Sequence, residues 1–529
     1  MRSPERLGYS VGVSVRSLLL FASALDRAPS FRRWAGRVAR SALLVLAPAG
    51  CSPPEAGTDI RFGLATAPVT LDPRFATDAT SARVVRLLYA RLVDFDAAFR
   101  PVPALASWRA LSGTRYRFTL RTPRARFSDG EPVRAGDVKA TYEDVLDPER
   151  GSPHRAGLTN IASIRVVDPD TVEFRLERPD LLFPGKLVLG ILPARRIAGG
   201  HPFNTRPVGS GPFVLEAWPE SGRLVLRRRR DGQRVRLVRI SEPNTRVLKL
   251  LNGEVDLLAG DLAPETVRWL EGRPDVRVER HPGTKFAYLG FNLEDPVVGR
   301  LAVRRAVAYA IDRRAIIRHV MGAAARPASA LLPPGHWAGA PGLGAIHHDL
   351  ARARKLLREA GYENGTGPKI VYTTSAAPFR IRLATIIQSQ LARAGMDVEI
   401  RSYDWGTFYG DIKAGRFQMY SLAWVGIKMP DIFRYVFHSG SVPPEGANRG
   451  RFRSQEADRL IELAESAPAL PAMAKKYRAL QRLLLEELPY VPLWYEDNVA
   501  VSRPALEGFS VNEEGNYDAL EHVHWAASR

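Results

Sequence analysis

From Ile60 onward the apolar residues keep changing their period. Ile60 to Ala65 alternates as a short strand does, and Ser81 to Leu92 carries Val84, Val85, Leu87, Leu88 and Leu92 at helical spacing. Strand-like and helix-like stretches then follow one another to the C-terminus, which makes the class α/β. At 529 residues the chain is too long for one core, and roughly 100–200 residues per domain gives about three domains.

The formal net charge of +20 raises the question of nucleic acid, since clustered cations gain affinity for phosphate by releasing counterions. The cations here are scattered, Lys supplies only 10 of the 76 basic residues, and no nucleic-acid motif accompanies them, so nucleic acid is not expected as a partner. The densest run, Arg227 to Arg230, follows the alternation of Leu224 and Leu226 and reads as the exposed end of a strand. No apolar run reaches the ~18 residues of a membrane span.

One cysteine excludes an intrachain disulfide and a multi-thiolate zinc site, so Cys51 needs its own explanation. Arg32, Arg33, Arg37 and Arg40 precede the apolar run Ala42 to Ala47, and Pro48-Ala49-Gly50-Cys51 follows. These are the basic region, apolar core and small-residue site of a secretory signal. The cysteine placement resembles a bacterial lipobox, with Pro48 where Leu is usual, and implies that Cys51 is lipidated and becomes the mature N-terminus. Residues 1–51 are therefore read as a signal and anchor segment, either with a start codon set too far upstream or with Leu18 to Phe21 as part of a long signal, and 52–59 as a Pro- and Gly-containing tether.

A series of motifs then runs through the body. Leu71-Asp72-Pro73 comes first, then Pro103 to Trp108, Tyr116 to Arg121, Phe127-Ser128-Asp129-Gly130-Glu131-Pro132-Val133 and Ala135-Gly136-Asp137-Val138. Further on come Val208-Gly209-Ser210-Gly211-Pro212-Phe213, Leu251 to Asp256, Tyr288 to Asn292, Val303 to Arg313, Leu356 to Tyr362 and Pro492-Leu493-Trp494-Tyr495. In order and spacing they resemble the bacterial solute-binding proteins that serve ABC importers of oligopeptides, dipeptides and nickel. Tyr116 to Leu120 alternates as a half-buried strand, Ser128-Asp129-Gly130 is a turn, and Asp137 can cap the helix that follows, so much of the signature reads as scaffold.

The resemblance implies a two-lobed, type II periplasmic-binding-protein-like fold with an inserted domain and a hinged cleft. Lobe I would comprise 57–90, 206–285 and 498–529, the inserted domain 91–205, and lobe II 286–497, with hinge crossings near 286 and 497. It also implies a monomeric receptor in the periplasm or cell envelope, held to the membrane by a lipid anchor. The receptor would capture a peptide or another extended small solute and hand it to permease and ATPase subunits, with no cofactor and no chemistry of its own.

Trp405 and Trp424 resemble the cleft-lining tryptophans of the peptide-binding members. Those members place an aspartate three residues beyond the second tryptophan to hold the α-ammonium by a charge-assisted hydrogen bond. Ile427 stands there instead, and Asp431 follows four residues later. Tyr288, Asn292, Thr80, Ser81, Asn448 and Trp494 are further candidates for the cleft. Arg449 has the planar fork to clamp a carboxylate, set against the plainer reading of a solvated loop arginine.

Enzyme signatures are missing: no HExxH, GxSxG or P-loop occurs. His347-His348-Asp349 opens a helix that Asp349 can cap, and His522-Val523-His524 offers only two imidazoles to a metal. The alternatives to a peptide receptor are a receptor for a metal complex, metallophore or sugar, and a periplasmic sensor or chaperone-like binder.

Overall fold

Two long strands, Arg277–Phe291 and Tyr490–Ser502, lie antiparallel in the middle of an 11-stranded sheet. The computed structural model describes residues 59–121, 125–219, 222–362 and 367–526. Cys51 and the segment before it lie outside the described residues.

On one side of the long pair come Met419–Trp424, Lys369–Ser375 and, at the edge, Asp397–Tyr403. On the other come Leu257–Ala259, Ile60–Leu64, Arg234–Arg239, Arg223–Arg228 and Phe213–Ala217. The short strand Ala325–Pro327 pairs with Tyr490–Ser502. The two outer groups each contain parallel neighbours, while the pairings that join them are antiparallel. The register of the long pair breaks between His281 and Lys285 and again between Ala287 and Tyr288.

Successive side chains of a strand point to opposite faces, and the long strand uses both. Ala287, Leu289 and Phe291 enter one core with Val303, Val307, Ile387 and Leu391. Phe286 and Tyr288 enter another with Tyr420, Phe433, Tyr477 and Tyr490. Beyond the register break, a further core gathers Ile60, Phe62, Val84, Leu88, Leu226, Leu237 and Leu520. A separate four-stranded sheet, in the order Ala106–Ser112, Arg115–Leu120, Thr171–Leu176, Ile161–Asp168, packs with helix Ala135–Leu146 around a core drawn from 92–191.

Local chemistry accounts for the element ends. Helix Ala79–Leu88 starts because Asp78 accepts from Ser81 N, and it stops before Leu92, which joins the core of the four-stranded sheet. The Gly209-Ser210-Gly211 motif crosses the end of that helix: Gly211 N donates to Leu88 O at 2.9 Å, and a Cβ on Gly211 would stand 2.4 Å from Leu87 O. Asp349 caps Leu350–Glu359 by accepting from Arg352 N. Asp137 acts from inside the first turn, where its two oxygens accept from Arg134 N and Ala194 N.

The arginine run at 227–230 departs from expectation. Arg228 is buried, donating to Asp231 and to the carbonyls of Leu520 and Val523, because the C-terminal segment folds over the strand end. No helix among the described residues is long and apolar enough to cross a membrane.

Candidate functional site

Lys369–Ser375 is parallel to both neighbours, Asp397–Tyr403 and Met419–Trp424. The chain goes to the first through helix Pro378–Arg393 and then crosses to the second through helix Trp405–Ala414. Where connections depart to opposite sides of a strand, a crevice is left outside the carboxyl ends. A cavity of about 210 Å³ lies there. Its walls include Ser375, Ala423 and Val425 from strand ends, Trp405 and Arg380 from the two helices, and Lys285, Ala287 and Trp494 from the long strands.

Trp405 is the first residue of its helix, fixed by Asp404, which accepts from Thr407 N at 3.1 Å and Thr407 Oγ1 at 2.6 Å. It is 59% exposed and stacks on Tyr409 one turn on, centroids 5.4 Å apart and planes 7° apart. Trp494 differs: it is 1% exposed and belongs to the core as much as to the cavity wall.

The charged residues of the lining are Lys285 and Arg380, and both face Glu496. Lys285 Nζ is 2.6 Å and Arg380 Nη1 3.5 Å from the Glu496 carboxylate. Burial pushes this carboxyl's pKa up, but the two cations outweigh burial and hold it below the usual value. Two cations share one anion, leaving the cavity wall net positive. None of the three stood out in the sequence, although Lys285 and Glu496 each adjoin a chain crossing expected near 286 or 497.

Trp424 is half-buried on the opposite face of its strand from Ala423, and the Arg449 guanidinium lies 5.0 Å from its ring. Arg449 also donates to Tyr409 OH at 3.1 Å and Tyr288 OH at 3.4 Å. Asn448 turns Arg449 inward: its Nδ2 donates to His438 O and Phe452 O, and its Oδ1 accepts from Phe452 N. Gly450 allows the loop to press on the sheet, since a Cβ there would be 2.4 Å from Phe291 O. Arg449 is thus buried, and the solvated reading fails.

The other candidates divide. Tyr288 is buried, stacked on Tyr490 with centroids 4.0 Å apart beneath Arg449. Asn292 lies just past the Phe291–Met419 pair, at the amino end of Met419–Trp424, whereas the cavity is at the carboxyl end. Its side chain forms a turn with Glu294 N and Gly415 O. Ser81 Oγ accepts from Val69 N and Thr70 N, and Thr80 Oγ1 is bonded to Thr66 Oγ1 at 2.6 Å, so both hydroxyls tie down the loop after Ile60–Leu64.

Ile427 packs at the margin of the tyrosine-rich core, and the next residue, Lys428, pairs with Glu514 at 2.8 Å. Asp431 precedes helix Ile432–Phe437; burial raises its pKa, opposed by Lys186, and it is not among the cavity's lining residues. Among the described residues no group of three or more His, Cys, Asp or Glu side chains is arranged to hold a metal ion.

The family of bacterial extracellular solute-binding proteins, family 5 Middle, matches residues 99–442, more than half of the chain. The peptide transport periplasmic protein SapA of Salmonella typhimurium is 29% identical over 478 residues, 81% of this chain and 85% of that protein. The probable di/tripeptide-binding protein 5 of Pseudomonas aeruginosa is 27% identical over 521 residues, 90% and 97% of the two chains. Among solved structures, the ABC transporter substrate binding protein CtaP of Listeria monocytogenes superposes with TM-score 0.80 at 21% identity, covering 89% of this chain and 99% of that one. The binding protein DppA of Helicobacter pylori, in complex with the peptide STSA, gives TM-score 0.72 at 25% identity, covering 89% and 98%. A mixed sheet with a crevice at its carboxyl ends, the family match and these shared folds identify the chain as a member of the bacterial extracellular solute-binding proteins, family 5, with the α/β fold of type II periplasmic binding proteins.

Proposed function

We propose that the chain is the solute receptor of an ABC importer, taking a peptide or a similarly extended solute into the crevice beside Trp405 and presenting it to the permease and ATPase subunits. The observation that carries this reading is the cavity at the strand ends, with an exposed tryptophan at its mouth and Lys285 and Arg380 as its charged lining. An aromatic wall accepts varied side chains, strand ends offer backbone donors and acceptors, and the two cations receive an anionic end of the solute. The peptide transport and di/tripeptide-binding relatives favour a peptide. Ile427, where peptide-binding members carry the amine-holding aspartate, argues that a free α-ammonium is not the group recognised.

Binding closes lobe I (57–90, 206–285 and 498–529) on lobe II (286–497), with 91–205 carried as the inserted domain. The register break between His281 and Lys285, opposite Asn498 and Glu496, is where the long strands flex. Cys51 anchors the exported monomer to a membrane of the cell envelope.

The test is to purify the full chain under native conditions, release any bound solute and identify it by mass spectrometry. A peptide or peptide-like solute is expected. A protein that carries nothing, and whose melting temperature no peptide raises, sinks the receptor reading. Loss of labelled lipid on Cys51→Ala checks the anchor independently.

A further inference from the structure

Five arginines are buried among the described residues: Arg228, Arg246, Arg304, Arg313 and Arg449. The first four are held by strong acceptors, although Nη2 of Arg313 is buried without a hydrogen-bond partner among the described residues. Arg228 binds the Asp231 carboxylate and two carbonyls, and Arg246, Arg304 and Arg313 each reach at least three backbone carbonyls. Arg449 alone binds neither a carboxylate nor a carbonyl. Its acceptors are two phenol oxygens, at 3.1 and 3.4 Å, and the faces of Trp424 and Tyr409. Close by, Trp424 Nε1 is buried without a hydrogen-bond partner among the described residues. A guanidinium and an indole N–H are donors only, and the acceptors that surround them are neutral phenol oxygens, so no anion balances the cation.

A buried cation in such surroundings is costly until an anion joins it. The position suits that role. Trp405 stands exposed at the mouth of the crevice, Tyr409 stacks on it one helical turn deeper, and Arg449 lies against Tyr409. The second wall is Trp424, whose ring lies over the same guanidinium.

We propose that Arg449, together with Trp424 Nε1, is the receiving site for an oxyanion of the solute, a carboxylate or a phosphate, entering between Trp405 and Trp424. This rests on the receptor reading and narrows it: the imported solutes are acidic. The guanidinium offers its fork to two oxygens, and the indole N–H supplies a third donor from the side.

Titration of the purified full chain with glutarate, with inorganic phosphate and with the neutral isostere glutaramide, at constant ionic strength in chloride, tests the assignment through tryptophan fluorescence and melting temperature. A saturable response to glutarate or phosphate and none to glutaramide is expected, and which of the two acts distinguishes a carboxylate from a phosphate. Arg449→Gln is expected to weaken that response at least tenfold. Arg449→Lys keeps the charge but loses the fork and falls in between; it also serves if the glutamine variant does not fold. An equal response to glutaramide, a full response by Arg449→Gln, or silence toward both anions overturns the proposal. Recovery of a native bound solute with no anionic group overturns it too, while leaving the receptor reading intact.

Discussion

Lys285 and Glu496 face each other across the two long strands as register partners, Nζ to Oε2 at 2.6 Å, on the edge of the register break that starts at His281. This ion pair joins the strands where the ladder is interrupted, and Arg380 adds a second cation to the same carboxylate from helix Pro378–Arg393. Glu496→Gln leaves two facing cations, each about a third exposed. With solvent screening part of the repulsion, the expected loss is about 1–3 kcal/mol in urea unfolding.

The same carboxylate gives stability a pH dependence whose sign is set by its lowered pKa. A group held below its unfolded value contributes fully above that value, here 4.5, and its contribution is lost as pH falls through the folded value. The difference in stability between wild type and Glu496→Gln is therefore expected to be constant from neutral pH down to the unfolded value and to shrink below it. A difference that grows on acidification would contradict the ion-pair account.

The two tryptophans of the cavity separate in their consequences. Trp494 is fully buried, and Trp494→Ala should cost about 3–5 kcal/mol by leaving a hole in the core. Trp405→Ala removes an exposed ring, and its effect on unfolding should stay within about 1 kcal/mol while solute affinity drops. Denaturant melts and binding isotherms on both variants check the contrast.

Ser81 is expected to matter for folding rather than binding. Ser81→Ala strips the acceptor from Val69 N and Thr70 N, and a loss of about 1–3 kcal/mol should follow with solute affinity unchanged.

Asp256 closes one of the recognisable motifs and is fully buried, accepting from Arg61 N, Nε and Nη2. Asp256→Asn keeps the shape but removes the charge and one acceptor from this bidentate pair. Because Arg61 is a third exposed, the expected loss is about 1–3 kcal/mol by thermal or urea melting.

The extent to which sequence spoke for structure follows from range. Helix caps such as Asp349, the strand at Tyr116 to Leu120 and the turn at Gly130 depend on neighbours a few residues away, so periodicity and residue type reveal them. The motif Val208 to Phe213 was recognisable yet silent about its cause, which is the close crossing of Leu87 and Leu88 more than a hundred residues earlier. Lys285, Arg380 and Glu496 come from three distant segments and carry no local signal of their meeting. Asn292 lies at the far end of the sheet from the cavity, and a motif gives the strand but not which of its ends faces the crevice. Arg449 was legible as a candidate, but its burial required knowing that Asn448 folds the loop back on the sheet.

The four carbonyl-bound arginines have an effect of another kind. Arg304 ties the start of helix Leu301–Ala310 to the carbonyls of Glu487 and Leu488, and Arg313 reaches Pro492 O and Ala308 O. Burial pulls both down to about 10, so they remain cationic at neutral pH. With a single cysteine, the chain has no covalent staple between its own segments. These guanidiniums act as reversible rivets, each closed only once both segments have docked. Lysine, with one ammonium in place of a planar fork, cannot span the same set of carbonyls, so an arginine-rich composition in this chain is partly a fastening system and not only a surface charge.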